Sequence, residues 1–170
     1  MKKIFSILLP LMLVVLFTHA QRYAVIDTRY ILNKMPDYKE AQSKLDQISN
    51  LWQQEIEQKQ TALNKMQKDF EAEQVILPEQ LQKKREDEIY NKEKELRDLQ
   101  KKRFGFEGDL FKKRQELIKP IQDKIYNAVQ KLALDKQYDF ILDKSEGITV
   151  IFADPKLDKS EDLLKSLGVK

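Results

Sequence analysis

Residues 37–136 contain no glycine before Gly105 and are rich in lysine, glutamate, glutamine, leucine and alanine, which favour helix. Apolar or small side chains recur there about every 3.6 residues, the period of an amphipathic helix. A second series with the same period covers residues 81–132, with polar residues such as Arg103 at some of its positions. The sequence therefore predicts long amphipathic helices rather than one compact globular core. The first series consists of Ala41, Leu45, Ile48, Trp52, Ile56, Leu63, Met66 and Phe70.

Three prolines divide this helical stretch at equal intervals. Pro78 lies between the two series, where it disfavours helix at Leu77 and suits the first turn of a new helix. Pro36 and Pro120 each lie 42 residues from Pro78. If the chain reverses near residues 77–78, the two outer prolines meet at the root of an antiparallel helical hairpin about 63 Å long. The alternative is that the spacing of the prolines is a coincidence.

The ends of the chain have a different character. Three short runs rich in β-branched and aromatic residues, 22–27, 138–143 and 148–153, predict strands, and the last two form a hairpin with Gly147 in the turn. Three strands cannot bury a core within one protomer. We therefore expect this part of the chain to oligomerise.

Two short helices are predicted beside these strands. The first covers residues 28–34, with Thr28 as a possible cap. The second covers residues 161–167 and is capped by Ser160 and ended by Gly168.

The predicted fold class is α+β, a long antiparallel helical hairpin that projects from a small β-rich oligomerisation body. We assign residues 37–119 to the hairpin arm. Residues 21–36 and 120–170 form the body.

Residues 1–20 are typical of a Sec signal peptide. Two lysines precede an apolar run over residues 4–17, and small residues up to Ala20 suit cleavage. The alternative is an uncleaved membrane anchor, but the run is shorter than the roughly 20 residues that a spanning helix needs and contains Pro10. No cysteine follows, so the pattern does not fit a lipoprotein.

Charge and composition weigh against an enzyme. Removal of residues 1–20 takes away two lysines and the only histidine, which lowers the formal net charge from +3 to +1. A chain without histidine or cysteine lacks the commonest general base, metal ligand and nucleophile. The acidic pairs Asp139/Asp143 and Asp154/Asp158 are interpreted as turn and cap residues. We expect neither a cofactor nor a nucleic-acid partner.

The most distinctive local feature is a basic segment with interleaved aromatic residues. Residues 99–119 carry seven positive and three negative charges. Some apolar residues here and in the facing helix either hold the arm together or contact a polypeptide client or a membrane surface. These candidates are Leu51, Trp52, Phe104, Phe106, Phe111 and Ile118.

Gly105 and Gly108 interrupt the helical pattern, and each costs up to about 1 kcal/mol relative to alanine in a helix interior. They suggest a flexible hinge or a notch that accommodates Trp52. A hinge predicts that alanine at both positions stiffens and stabilises the arm. A notch predicts that the added methyl groups overpack it.

The strand-helix opening AVIDTRYILNKMPDYKEAQSKL, the long charged hairpin, and the closing blocks LIKPIQDKIYNAVQKLALDKQYDFILD and ITVIFADPKLDKSEDLLKSLG together resemble the Skp/OmpH family of periplasmic chaperones. The resemblance implies a homotrimer whose three bodies share a β-barrel and whose helical arms enclose unfolded outer-membrane proteins. It also implies an ATP-independent holdase. The net charge of +1 departs from the markedly basic members of that family, so contact with a membrane or lipopolysaccharide stays open.

A structural coiled-coil scaffold or spacer of the cell envelope is the alternative function. It shares the signal peptide and the helices but needs no client-binding surface. Apolar residues outside the helix-pairing series separate the two functions. Leu51, Phe111 and Ile118 are such residues and favour the chaperone.

Overall fold

The computed structural model of the chain describes residues 21–145 and 150–169. The predicted signal peptide and the turn at Gly147 lie outside the described residues. The elements in chain order are β1 (Tyr23–Ile26), α1 (Thr28–Lys34), α2 (Pro36–Glu73), α3 (Glu79–Phe104), α4 (Asp109–Lys136), β2 (Phe140–Asp143), a 3-10 turn (Pro155–Leu157) and α5 (Ser160–Ser166).

The chain divides into two compact units. Residues 35–124 form one, which we call the hairpin unit. The described residues before Met35 and after Lys124 form the other, which we call the terminal unit. Helix α4 contributes residues to both.

Helices α2 and α3 form an antiparallel hairpin. Gln67 near the end of α2 bonds Glu93 of α3 at 2.8 Å, whereas Glu55, earlier in α2, pairs with Arg103, later in α3. Pro36 occupies the first turn of α2, where its missing amide proton costs no helical bond. The predicted fold class, α+β with a long antiparallel helical hairpin and a small β-rich part, is confirmed, and the described β part is a pair of strands.

The turn of the hairpin is closed by a side chain. Helix α2 ends at Glu73, and Pro78 directly precedes α3. The amide nitrogen Nε2 of Gln82 donates to the carbonyl oxygens of Gln74 at 2.6 Å and Leu77 at 2.8 Å. The Gln74 carbonyl belongs to the C-cap of α2 and the Leu77 carbonyl to the turn, so the Gln82 side chain joins both to the start of α3.

The strands of the terminal unit pair differently from the sequence prediction. β1 pairs with β2 in parallel, with Tyr23 opposite Phe140 and Ile26 opposite Asp143. Parallel strands need a long crossover connection, and here the intervening sequence includes the whole helical hairpin. The predicted third strand is wrong for its described part, because residues 150–153 belong to no strand. Instead, Val25 forms an isolated bridge with Asp158.

The short helices are capped by other residues than predicted. Asp27 caps α1, because its carboxylate accepts the Tyr30 amide at 2.8 Å. Thr28 instead donates its hydroxyl to Asp143. Ser160 is 4% exposed, and its hydroxyl accepts the Asp27 amide at 2.9 Å, so it links two segments rather than capping α5.

Gly168 ends α5 as predicted. Its φ of 78° lies in the left-handed region that glycine adopts without strain. The Val169 amide bonds the Leu164 carbonyl at 3.0 Å, and the Gly168 amide bonds that of Lys165 at 3.0 Å, which is a Schellman motif. Buried Ile31, Leu163 and Leu164 form the apolar centre of the contact between α1 and α5.

Candidate functional site

The hairpin is held by a narrow apolar stripe. Ile56 and Leu63 of α2 and Leu96 of α3 form a buried cluster, with Ile89 and Leu99 packed against it. All five positions belong to the two apolar series in the sequence. Because this stripe is narrow, most of the hairpin surface takes no part in the pairing of α2 with α3.

Trp52 and Phe104 belong to the helix pairing. Their ring centroids lie 6.3 Å apart at an interplanar angle of 82°, an edge-to-face contact. A hairpin that reverses at Pro78 predicts this pair. Trp52 is half-buried, whereas Phe104 keeps 38% of its surface exposed.

A charged cluster surrounds this aromatic pair. The Arg103 guanidinium lies 4.6 Å from the centroid of the Trp52 ring, within cation–π range. It also forms ion pairs with Glu55 of α2 at 3.3 Å and with Asp109 of α4 at 2.8 Å. Sequence reasoning missed this cluster. The only available signal was that Arg103 occupies a position of the second helical series, which it shares with other charged residues such as Lys92.

The predicted continuous second helix is wrong at residues 105–108. Helix α3 ends at Phe104, Gly105 is extended, and Glu107 adopts a φ of 54° before α4 begins at Asp109. Gly105 and Gly108 therefore lie outside a helix, and alanine there would not strengthen a helix interior.

The surroundings of both glycines explain why the break contains them. A Cβ on Gly105 would lie well inside van der Waals contact with the Lys101 carbonyl oxygen. A Cβ on Gly108 would lie 2.8 Å from the Lys102 oxygen and 2.9 Å from that of Gly105. The closest neighbours are thus backbone carbonyls and not the Trp52 ring that the notch hypothesis invoked. The hinge role of these glycines stays a prediction.

The other candidate residues separate by exposure. Phe106 is 97% exposed, Leu51 64% and Phe111 45%. Ile118, in contrast, is 9% exposed, so the expectation that it adds accessible apolar surface is wrong. Ile118 lies three residues before Ile121, which is also buried, so the two side chains share one face of α4.

The turn of the hairpin carries further exposed apolar residues. In the turn, Val75 is 87% exposed and Ile76 81%, and Leu81 in the first turn of α3 is 48% exposed. From the sequence, this segment predicted only where the chain reverses. Its apolar character, despite its position in a turn, was the signal for an exposed surface.

Both outer prolines, Pro36 and Pro120, lie within helices. Pro36 begins α2, and α4 continues through Pro120. Nearby, the Lys124 ammonium pairs with the Asp37 carboxylate at 3.0 Å, which links the start of α2 with α4 inside the hairpin unit.

Carboxylates at the strand ends have structural partners, as the sequence interpretation expected. Burial tends to raise the pKa of Asp143, but hydrogen bonds from Thr28 and Ser145 outweigh burial and hold this pKa below its usual value. The pKa of Asp158 is lowered in the same way: burial opposes the shift, and Lys144 at 2.7 Å and Ser160 outweigh it. Among the residues that the structure describes, no group of three or more potential metal ligands occurs.

Comparison with known proteins identifies the family of this chain. The family model described as "Outer membrane protein (OmpH-like)" matches residues 22–167. The chain belongs to the OmpH-like family. A search of curated proteins gave no significant match.

A solved structure has the same fold as this OmpH-like chain. It is described as OmpH-like, comes from Caulobacter crescentus CB15 and superposes with a TM-score of 0.72. The alignment covers 88% of this chain and 85% of the other, at 13% sequence identity. At this identity the likeness concerns the fold alone. Within residues 21–145 and 150–169, no helix of the OmpH-like chain is long and apolar enough to cross a membrane.

Proposed function

We propose that this OmpH-like protein is an ATP-independent periplasmic holdase that binds unfolded outer-membrane β-barrel proteins and prevents their aggregation during transit. The observation that carries the proposal is apolar surface on the hairpin unit outside the helix-pairing stripe. Phe106, Val75, Ile76 and Leu51 are each more than 60% exposed. Membership of a family that includes chaperones supports the same function.

Scattered apolar contacts suit a client without a fixed structure. Burial of one such side chain yields about 1.5–3 kcal/mol, so each contact is weak by itself. Several contacts on one chaperone add up, while each can dissociate without an external energy source. The surrounding charged side chains keep the protein soluble when no client is bound.

The proposed assembly is a homotrimer formed through the terminal unit. A two-stranded sheet is marginally stable alone, and β1 and β2 form such a sheet. Ile151 and Phe152 of the terminal unit are 94% and 83% exposed within one protomer. Self-association would cover these residues. Light scattering on residues 21–170 tests this assembly, and a monomeric mass at micromolar concentration would contradict it.

A periplasmic location rests on residues 1–20, whose composition fits a cleavable Sec signal. Export would bring the protein to its clients and away from nucleic acid. Contact with a membrane or lipopolysaccharide through the basic residues 99–119 stays a prediction.

The test is an aggregation assay without ATP. An outer-membrane β-barrel protein is diluted from urea into buffer that contains stoichiometric amounts of residues 21–170, and turbidity is followed. We expect wild-type protein to suppress turbidity. A double variant, Leu51→Ser with Phe106→Ser, should suppress it less, because it removes exposed apolar surface.

The matched control is Lys101→Ser with Lys112→Ser, which changes two exposed charged residues of the hairpin unit. It should retain suppression if apolar contact dominates. A scaffold or spacer needs no client-binding surface, so absence of suppression by the wild type would favour that function over the holdase.

A further inference from the structure

The Arg103 side chain joins three helices at the break in the arm. It extends from the last turn of α3, pairs with Glu55 of α2 and with Asp109 at the start of α4, and lies over the Trp52 ring. Its side chain is 23% exposed. One guanidinium therefore connects both sides of the break with the opposite helix of the hairpin.

The chemistry of this cluster favours fixed geometry over added stability. A guanidinium is planar and presents its donors in fixed directions, so two carboxylates and a ring face together define its orientation. Part of the electrostatic gain is offset by removing the charges from water. The Arg103 Nε is also buried and has no hydrogen-bond partner among the described residues. A buried donor without a partner lowers stability.

The cluster brackets the loop that carries the most exposed aromatic residue of the hairpin unit. Arg103 lies two residues before Gly105 and Asp109 directly follows Gly108, so their 2.8 Å ion pair closes residues 105–108 into a short loop. Glu107, at a φ of 54°, turns the chain within it. Gly108 is buried, whereas Phe106 is 97% exposed.

We propose that Arg103 is a positioning residue that fixes the loop of residues 105–108 and thereby presents Phe106 as a preformed apolar contact for an unfolded polypeptide. The part of this inference that concerns an unfolded polypeptide rests on the proposed holdase function. The geometric part, that Arg103 fixes the break between α3 and α4, stands independently of any client.

A label pair across the break tests the geometric part. The chain contains no cysteine, so single cysteines at exposed Gln100 of α3 and Gln115 of α4 can be spin-labelled in the full mature chain. In Arg103→Met, we expect a broader distance distribution between the labels. The emission of Trp52, the only tryptophan, should also shift, because the cation leaves its ring.

The matched control is Arg97→Met, the same substitution in the same helix. Arg97 is 60% exposed and pairs with Glu93 at 3.5 Å on the helix surface. It should leave both the distance distribution and the emission unchanged. If Arg103→Met fails to fold, Asp109→Asn removes the ion pair across the break with little change in shape and should broaden the distribution in the same direction. An unchanged distribution in folded Arg103→Met or in Asp109→Asn would overturn the positioning role.

The aggregation assay tests the presentation of Phe106. We expect Phe106→Ser and Arg103→Met each to raise the concentration needed for half-maximal suppression by about tenfold, whereas Arg97→Met should not. If wild type suppresses aggregation and both variants match it, the presentation of Phe106 is refuted while the holdase function stands. If wild type itself does not suppress aggregation, the holdase function fails, and the label distances still decide whether Arg103 fixes the break.

Discussion

Alanine at Gly105 tests the break in the arm most directly. The added Cβ would clash with the carbonyl oxygen of Lys101. That oxygen accepts the Gly105 amide at 2.8 Å, the last backbone bond of α3. The oxygen cannot move away without loosening the end of the helix, so Gly105→Ala should destabilise the protein.

The expected loss in the free energy of unfolding is the sum of three contributions. Overpacking costs about 1–3 kcal/mol, and a weakened terminal hydrogen bond adds about 0.5–1.5 kcal/mol. Alanine also lowers the entropy of the unfolded chain, which offsets about 0.4–1 kcal/mol. We expect a net loss of about 1–3 kcal/mol in the free energy of unfolding. For a chain of this size, that corresponds to a decrease in Tm of about 3–10 °C.

Urea unfolding, followed by far-ultraviolet circular dichroism and by Trp52 fluorescence, measures this loss. Gln100→Ala is the control, since Gln100 is an exposed residue of α3 near the break. It should change the free energy of unfolding by less than about 0.5 kcal/mol. If Gly105→Ala were as stable as wild type or more stable, α3 would continue through residue 105 and the account of the break would be refuted.

Three further predictions concern other parts of the chain. Leu96→Ala removes a side chain that is 5% exposed and should lower the free energy of unfolding by about 2–4 kcal/mol. Leu51→Ala, at 64% exposure, should change this free energy by less than about 0.5 kcal/mol. Equal losses for the two variants in urea unfolding would contradict the assigned burial. Gln137 follows α4 at a φ of 55°, so Gln137→Gly should raise the free energy of unfolding by about 1 kcal/mol; a lower Tm would refute strain there. Because the fold lowers the pKa of Asp143, its charged form stabilises the protein above about pH 4 and this stabilisation is lost as the pH falls through the folded pKa. Asp143→Asn should therefore be less stable than wild type at neutral pH but approach it in acid, and a difference independent of pH would argue against a role of the charge.

The sequence by itself determined the features that depend on neighbouring residues. Helical periodicity fixes which face of α2 is apolar, so the spacing of Ile56 and Leu63 was enough to assign both to the interhelical stripe. Pro78 marked the end of one helix and the start of the next for a similarly local reason, because proline disfavours helix at the residue before it. Gly168 could be placed at the end of a helix, because the left-handed conformation required there favours glycine.

Only the tertiary structure decided the contacts between residues far apart in the chain. The parallel pairing of β1 with β2 has no local signature, since either strand could pair with any other of suitable length. The observed roles of Thr28 and Ser160 differ from the predicted caps for the same reason. The Thr28 hydroxyl donates to Asp143, and the Ser160 hydroxyl accepts the Asp27 amide.

The candidate surface shows the same division. Phe106 could be selected from the sequence as an aromatic residue in a basic segment, but its exposure depends on the four-residue break that ends α3. Arg103 joins Glu55 and Asp109 only when three helices meet. Local sequence fixes the periodicity of each helix, whereas the relative phase of two helices depends on the backbone path between them, and that path is set by the packing of the whole unit.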